Sequence, residues 1–321
     1  MSRLFILFLI IVSIIISLLV VYNVKIHLLH KHYLESIYTP KNLECSIDKN
    51  KSSEGLNFFS DKKIIIAGLI RNSSKTIPLI RKNLGKLTKI FKDYKMLIVE
   101  NDSKDSTRKD LLSWHNDDPK ITILGCGINA NECILKLPST GHEHNIDRIE
   151  KMSMLRNIYL SYITNHPDDF SGFDYTIIWD LDITGTFYID GIGLSGYYFK
   201  NKKEVKGMCA NGIKINNFGF TTIRGYFDPY AHAELGDRKN YSPADGIWRG
   251  MNQEQCESTD IRKVLSCFNG FAIYRTNAIL NKKYGFDIMD GYASCEHTAL
   301  HEQINGMYIN PFMVFIVLDN N

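Results

Sequence analysis

Between Lys63 and Leu124 the chain alternates short apolar runs with longer stretches of helical period, and few architectures accept that pattern. Lys63 to Leu69 (KIIIAGL) is continuously apolar and rich in β-branched residues, as suits a strand buried on both faces. A polar loop, Arg71 to Thr76, follows. Pro78 then opens a helix running to about Tyr94, since proline is tolerated in a first helical turn; Leu79, Leu84, Leu87 and Ile90 are its candidate core face. A second strand, Lys95 to Val99 (KMLIV), ends in the acidic loop Glu100 to Thr107, and Ser106 or Thr107 starts the next helix. A third strand, Lys120 to Leu124, comes after Pro119. Strand, helix, strand, helix, strand at this spacing implies right-handed crossovers and a parallel sheet. Ligands of such sheets bind beyond the carboxyl ends of the strands, where the loops after Leu69 and Val99 lie.

The pattern continues. Asp147 to Thr164 reads as an amphipathic helix with Ile149, Met152, Leu155, Tyr159 and Tyr162 on one stripe and Arg148 and Arg156 off it. The strand Tyr175 to Trp179 runs straight into Asp180-Leu181-Asp182. Two carboxylates two residues apart in an extended segment point to the same side. They can share a hard cation, Mg²⁺ or Mn²⁺, and leave positions open for a diphosphate whose charge the metal neutralises as it departs. The alternative is a solvated loop of helix-capping aspartates. The place of the pair, at the end of an apolar strand and after a β/α half with a second acidic loop, favours the metal reading.

Three stretches organise the chain: an anchor over 1–24, a stem over 25–61 and a catalytic domain over 62–321. Leu4 to Tyr22 carries no charge and only Ser13 and Ser17 as polar residues, enough for roughly 30 Å of hydrocarbon. It ends in Val-Val-Tyr-Asn-Val-Lys without a small-residue cleavage site, so an uncleaved single-pass anchor is expected. Arg3 before it and Lys25 and Lys31 after it nearly balance, and orientation stays open. The polar stem is rich in Ser, Lys and Asn. With 44% hydrophobic and 23% charged residues the rest is globular. A net charge of +3 without a dense Lys/Arg stripe argues against a nucleic-acid partner. Seven cysteines include no C-x-x-C pair, which disfavours a zinc ribbon or a thioredoxin-like site; lumenal disulfides and buried thiols both stay open.

Two later segments hold further candidates. Ser266 to Arg275 (SCFNGFAIYR) reads as a strand kinked at Asn269-Gly270, either for the close approach of a substrate or as a simple bulge. In Asp290 to Gln303, Ser294 is placed to cap a helix that puts His297 and His301 one turn apart, with Glu296 and Glu302 beside them. Two such histidines can bind a metal, although the H-E-x-x-H pattern is not met; packed or surface histidines are the alternative.

The acidic loop resembles the V-D-D-G-S-x-D-x-T segment of GT-A glycosyltransferases. Val99, Ser103, Asp105 and Thr107 match, Glu100 replaces an acid with an acid, and Asn101 and Asp102 depart. The ordered set Glu100–Thr107, Leu155–Asn157, Trp179–Asp182, Tyr226–Ala231, Ser266–Arg275 and Cys295–His297 is similar to the fungal capsule-type α-1,3-mannosyltransferases, the group that includes the cryptococcal mannosyltransferase. The resemblance implies a GT-A-like α/β fold with a mixed, mainly parallel sheet flanked by helices. It also implies a GDP- or UDP-sugar donor, a glycan acceptor, Mn²⁺ or Mg²⁺ at Asp180 and Asp182, and a type II membrane protein of Golgi, ER or viral equivalent. His297 or His301 would be the third metal ligand. Glu100 or Asp102 would meet base or ribose, and Asn269 and Gly270 would border donor sugar and acceptor. Arg71 either contacts the nucleotide or forms a surface salt bridge; Arg156 either reaches the diphosphate or pairs with Asp180. An inverting enzyme needs a carboxylate base, for which Glu296 and Asp290 are candidates; a retaining one, which the resemblance favours, does without. One rival is a nucleotidyltransferase or methyltransferase; the latter wants more than the single glycine of Ala67–Asn72. The other is a membrane-tethered glycan- or nucleotide-sugar-binding protein without turnover.

Overall fold

The computed structural model describes residues 5, 10–22, 47–125, 146–183, 185–218, 221–236, 260–289 and 292–318. They fall into two units, Met1–Ser46 and Ile47–Asn321. In the first, residues 10–22 form a helix (α1) with exposed apolar side chains such as Ile14, Leu18 and Val21. Among the described residues no helix is long and apolar enough to cross a membrane. The rest of the expected anchor, and the stem from residue 25 to 46, lie outside the described residues.

The second unit begins earlier than the stem expectation allows. Residues 49–59 are a helix, α2 (Lys49–Phe59), whose start is capped by the Asp48 carboxylate accepting from the backbone N–H of Asn50 and Lys51. Its polar composition concealed a packing device. Gly55 lies so close to α7 (Ile189–Asn201) that a Cβ there would stand 1.7 Å from the Gly193 carbonyl oxygen. Ser52 donates to the Asp190 carbonyl at 2.9 Å, and Phe59 is fully buried against Phe91, Tyr175 and Phe199. The last part of the proposed stem is therefore part of the folded unit.

The core follows the expected alternation: β1 (Lys63–Ile70), α3 (Ile77–Leu87), β2 (Asp93–Glu100), α4 (Thr107–Asp117), β3 (Ile121–Gly125), α5 (Ile146–Asn165), the short α6 (Pro167–Phe170) and β4 (Tyr175–Trp179). There follow β5 (Gly185–Phe187), α7, β6 (Gly207–Phe218), β7 (Thr221–Tyr226), β8 (Arg262–Val264), β9 (Phe271–Arg275), the short α8 (Thr276–Ile279), the hairpin β10 (Ile288–Met289) and β11 (Tyr292–Ala293), α9 (Glu296–Gln303) and β12 (Met307–Leu318). The main sheet runs β3-β2-β1-β4-β9-β6-β12-β5, with β7 on β6 and β8 on β12.

Strands β3, β2, β1 and β4 are mutually parallel; β9 enters antiparallel between β4 and β6. The expectation of a mainly parallel sheet thus holds for the first half only. The second half is mixed, because β9, β5, β7 and β8 all run against their neighbours. Side chains alternate across β1: Ile64 and Ile66 pack in one buried cluster with Leu84, Leu87 and Phe199, and Ile65, Ala67 and Leu69 in another with Tyr159, Ile163 and Leu300. Both faces of the sheet are covered, which is why β1 reads as an unbroken apolar run.

The expected strand Ser266–Arg275 is shorter. Asn269 and Gly270 have φ of 60° and 78°, left-handed values that turn the chain, so β9 starts only at Phe271. Cys267, just before that turn, is disulfide-bonded to Cys209 of β6. Ser294 does not cap α9; its hydroxyl accepts from the Asp287 N–H, and Cys295 holds the cap position.

Candidate active site

The chain goes from β1 to β2 on one side and returns to β4 on the other, so the carboxyl ends of β1 and β4 flank the point where strand order reverses. That is where an open α/β sheet forms its binding crevice. β4 ends there with Asp180, Leu181 and Asp182. The Asp180 N–H donates to the Gly270 carbonyl at 2.9 Å and the Leu181 N–H to the Leu69 carbonyl at 3.3 Å. Leu181 is fully buried, and its burial sends the flanking carboxylates to the rim: Asp180 is half-buried and Asp182 exposed. Gly68 makes the passage possible, because a Cβ on it would lie 2.2 Å from the Trp179 carbonyl oxygen.

Arg156 lies on the buried face of α5, not off it. Its guanidinium sits over the rings of Phe268 (5.1 Å) and Tyr284 (5.8 Å) and is 3% exposed. Nε donates to Glu296 Oε1 at 2.9 Å and Nη2 to Asp180 Oδ1 at 3.0 Å. The pairing with Asp180 is present. A cation this deep needs both carboxylates, since a single unpaired buried charge is strongly destabilising. Burial raises Asp180 above the ordinary carboxylate range, with Arg156 pulling the other way. Asp182 is pushed up to about 7, first by the crowding of protein atoms around it and then by the Asp180 charge, although its side chain still meets solvent.

A further carboxylate belongs here. Asp228, after β7, is raised well above the ordinary range by desolvation and then by the charges of Asp180 and Glu296. It holds a left-handed φ of 61°, and its carboxylate accepts from the Ala231 N–H at 3.3 Å. The resemblance over Tyr226–Ala231 gives Asp228 no role; the available signal is a single carboxylate in an otherwise uncharged segment.

The second acidic loop is stapled to the loop after β1. Ser103 Oγ accepts from the Asn72 N–H, Thr107 Oγ1 from Ser73, and Asp105 Oδ2 from Ser74, while Asn72 Oδ1 accepts from Lys104. Ser103, Asp105 and Thr107 thus hold backbone. Glu100 is buried, accepts from the Ser103 N–H at 2.9 Å and has Arg108 at 3.9 Å. Asp102, with φ of 50°, stands at the glycine position of the V-D-D-G-S pattern. Arg71 Nε lies 3.0 Å from Asp102 Oδ1, as an ion pair rather than an aligned hydrogen bond, and Lys151 Nζ 3.3 Å from Oδ2. Arg71 thus forms a salt bridge here, and Lys151 is a second cation on the same carboxylate.

The late helix separates its two histidines. His301 is fully engaged: Nδ1 is 2.9 Å from Ser266 Oγ, whose own proton goes to the Ala231 carbonyl, and Nε2 is 2.8 Å from the Tyr274 hydroxyl. The network assigns Nδ1–H as donor to Ser266 and Tyr274 as donor to Nε2. Burial first and the Arg156 charge second lower His301 to about 3, so it is neutral. With both nitrogens occupied, the expectation of His301 as a metal ligand does not fit. His297 stacks on Phe268 at 4.0 Å, is lowered well below the ordinary histidine value by burial, has Nε2 3.9 Å from Glu296 Oε1, and among the described residues has no hydrogen bond at either nitrogen. Glu296 is committed to Arg156, an engagement that a proton-accepting base would have to release. Asp290 lies outside the described residues. Asn269 points its amide at the Ala210 carbonyl (2.6 Å), and Gly270 presents its carbonyl to the Asp180 N–H, supporting the acidic segment from behind.

Two carboxylates at an open rim and a neutral imidazole whose nitrogens make no hydrogen bond among the described residues are chemically suited to a divalent cation such as Mn²⁺ or Mg²⁺. Among the described residues no three His, Cys, Asp or Glu side chains converge as a preformed metal cluster.

No curated protein matches the sequence. Among solved structures, S. aureus TarS 1–349 in complex with UDP-GlcNAc has a TM-score of 0.43 and 12% identity, covering 81% of this chain and 59% of that one. The same protein in complex with UDP gives 0.43 and 12% over 80% and 60%. Mannosyltransferase PcManGT from Pyrobaculum calidifontis, in complex with GDP-Man and Mn²⁺, gives 0.43 and 12% over 95% and 67%. The chain thus spans about six tenths of the length of the TarS chains. The family model described as cryptococcal mannosyltransferase 1 matches residues 63–302, from β1 into α9, and so takes in every residue placed above. The chain therefore belongs to the cryptococcal mannosyltransferase 1 family of glycosyltransferases.

Proposed function

We propose that this chain moves a sugar, with mannose the first candidate, from a GDP- or UDP-sugar to a glycan hydroxyl, using Mn²⁺ or Mg²⁺. The observation that carries the reading is the acidic pair Asp180 and Asp182 at the strand-order reversal, with Asp180 tied to a buried arginine. Asp180, Asp182 and His297 would hold the cation, which when bound supplies charge neutralisation to the departing diphosphate. Arg71 and Lys151, now paired with Asp102, supply positive charge on the β1–β2 side of the crevice, where Glu100 and Asp102 can accept from a nucleoside. The crevice keeps donor and acceptor in register. The Glu296–Arg156 pair supports a retaining course, which asks no carboxylate to take the acceptor proton. The uncharged run Leu4–Tyr22 supports a single-pass tether, the family resemblance a type II orientation, and the Cys209–Cys267 disulfide supports placing the domain in an oxidising, lumen-like compartment.

The test is a panel of GDP- and UDP-sugars with Mn²⁺, scored for release of the nucleoside diphosphate with and without glycan acceptors. Wild type is expected to turn over one donor, and Asp182→Ala to lose roughly a hundredfold or more. Metal-independent turnover indifferent to Asp182 refutes the assignment. Donor binding without any turnover favours the tethered binding protein instead.

A further inference from the structure

Arg156 has the most restrictive surroundings of any charged group in the site. It is buried, faces Phe268 and Tyr284, and meets two carboxylates that come from sequence positions far apart. Nε and Nη2 lie on one edge of the planar guanidinium, so Glu296 and Asp180 are held side by side. Glu296 is buried, is set by the first turn of α9, and is as immobile as the helix that carries it. Asp180 is half-buried and only one of its oxygens, Oδ1, takes the arginine, which leaves Oδ2 for another cation.

We propose that Arg156 is a positioning residue: braced on Glu296, Phe268 and Tyr284, it fixes the direction of the Asp180 carboxylate and thereby how tightly the acidic pair holds a divalent cation. This rests on the reading above that Asp180 and Asp182 bind such a cation. Lysine cannot replace the arginine, because a point charge on a flexible stem does not bridge two carboxylates along one edge. Groups that orient a metal ligand in this way typically change metal affinity by about 10- to 100-fold when altered.

The measurement is Mn²⁺ binding to the metal-free full chain, followed by loss of the free Mn²⁺ electron paramagnetic resonance signal, with Tm recorded in parallel. Arg156→Lys keeps the charge and loses the fork; its Mn²⁺ Kd is expected to rise about tenfold or more. Glu296→Gln keeps the shape and loosens the brace, and its Kd is expected to rise by a smaller factor. A folded Arg156→Lys with wild-type Mn²⁺ affinity overturns the proposal, since a mere counter-charge or a purely structural role predicts that result even if Tm falls. Should Arg156→Lys fail to fold, Glu296→Gln decides: unchanged affinity overturns the proposal. The underlying reading has its own signature. Loss of Mn²⁺ binding in Asp182→Ala but not in Arg156→Lys refutes positioning alone, whereas a wild-type chain that binds no Mn²⁺ refutes both.

Discussion

Gly68→Ala places one methyl group where the end of β4 crosses β1. The added Cβ would lie 2.2 Å from the Trp179 carbonyl oxygen and 2.7 and 2.9 Å from Leu181 side-chain atoms, against 3.4 Å or more for ordinary contact. Leucine atoms can retreat, but the carbonyl belongs to the last residue of β4, held in register with Phe271. It must move by about an ångström, and Asp180 and Asp182 must move with it. Overpacking of this kind costs about 1–3 kcal/mol, and backbone as the obstacle puts it near 3. For a unit of this size that is a fall in Tm of roughly 6–12 °C. An ångström of displacement at a reacting centre can cost about a hundredfold in rate. Gly85→Ala is the control: it lies exposed in the last turn of α3 with nothing within 4 Å of its Cβ, and the same substitution should stabilise by up to about 1 kcal/mol. Thermal unfolding and donor turnover are measured on both. A Gly68→Ala protein with wild-type Tm and full turnover would show that β4 does not seat the acidic pair on β1.

Two predictions concern the support of the site. Unfolded histidines take up protons below about pH 6.5, whereas His301 stays neutral in the fold until about pH 3, so its contribution is complete above pH 6.5 and is lost as pH falls from there toward 3. The stability difference between wild type and His301→Gln should therefore shrink by about 1.4 kcal/mol per pH unit between pH 6 and 5; urea unfolding at several pH values measures it, and a pH-independent difference refutes it. Cys209 and Cys267 close a loop of 58 residues, worth roughly 4 kcal/mol by chain entropy. The double serine variant should unfold at correspondingly lower urea than the oxidised protein, and equal midpoints would show that the bond constrains little.

The parallel half was legible because its signal is local. Tyr175–Trp179 matches β4 residue for residue, and Lys63–Leu69 misses β1 only by Ile70, since an apolar run between polar loops is sufficient evidence of a doubly covered strand. What was hidden depends on distant partners. Arg156 looks like a surface arginine until Glu296, 140 residues later, is placed against it. The polar string KNKSSEG looks like linker because the reason for its folding is a glycine-to-backbone contact with α7. His297 and His301 share one helical face, as spacing indicates, yet only their surroundings separate them: Tyr274 and Ser266 hydrogen-bond one, and the other has no hydrogen bond among the described residues. Asn269-Gly270 was read as a kink in one long strand, and two consecutive positive φ values make it a turn that ends one segment and begins another.

That Glu296 arrives so late has a consequence for how the chain is made. A ribosome that has delivered everything through Asp182 has already supplied Arg156, Asp180 and Asp182, but the guanidinium then has only one of its two acids. A product ending between Asp182 and α9 would carry the acidic pair proposed to meet the cation and lack both His297 and the Glu296 brace. Nonsense or frameshift truncations between Asp182 and Glu296 should therefore leave polypeptides that still display the D-x-D sequence and are inert.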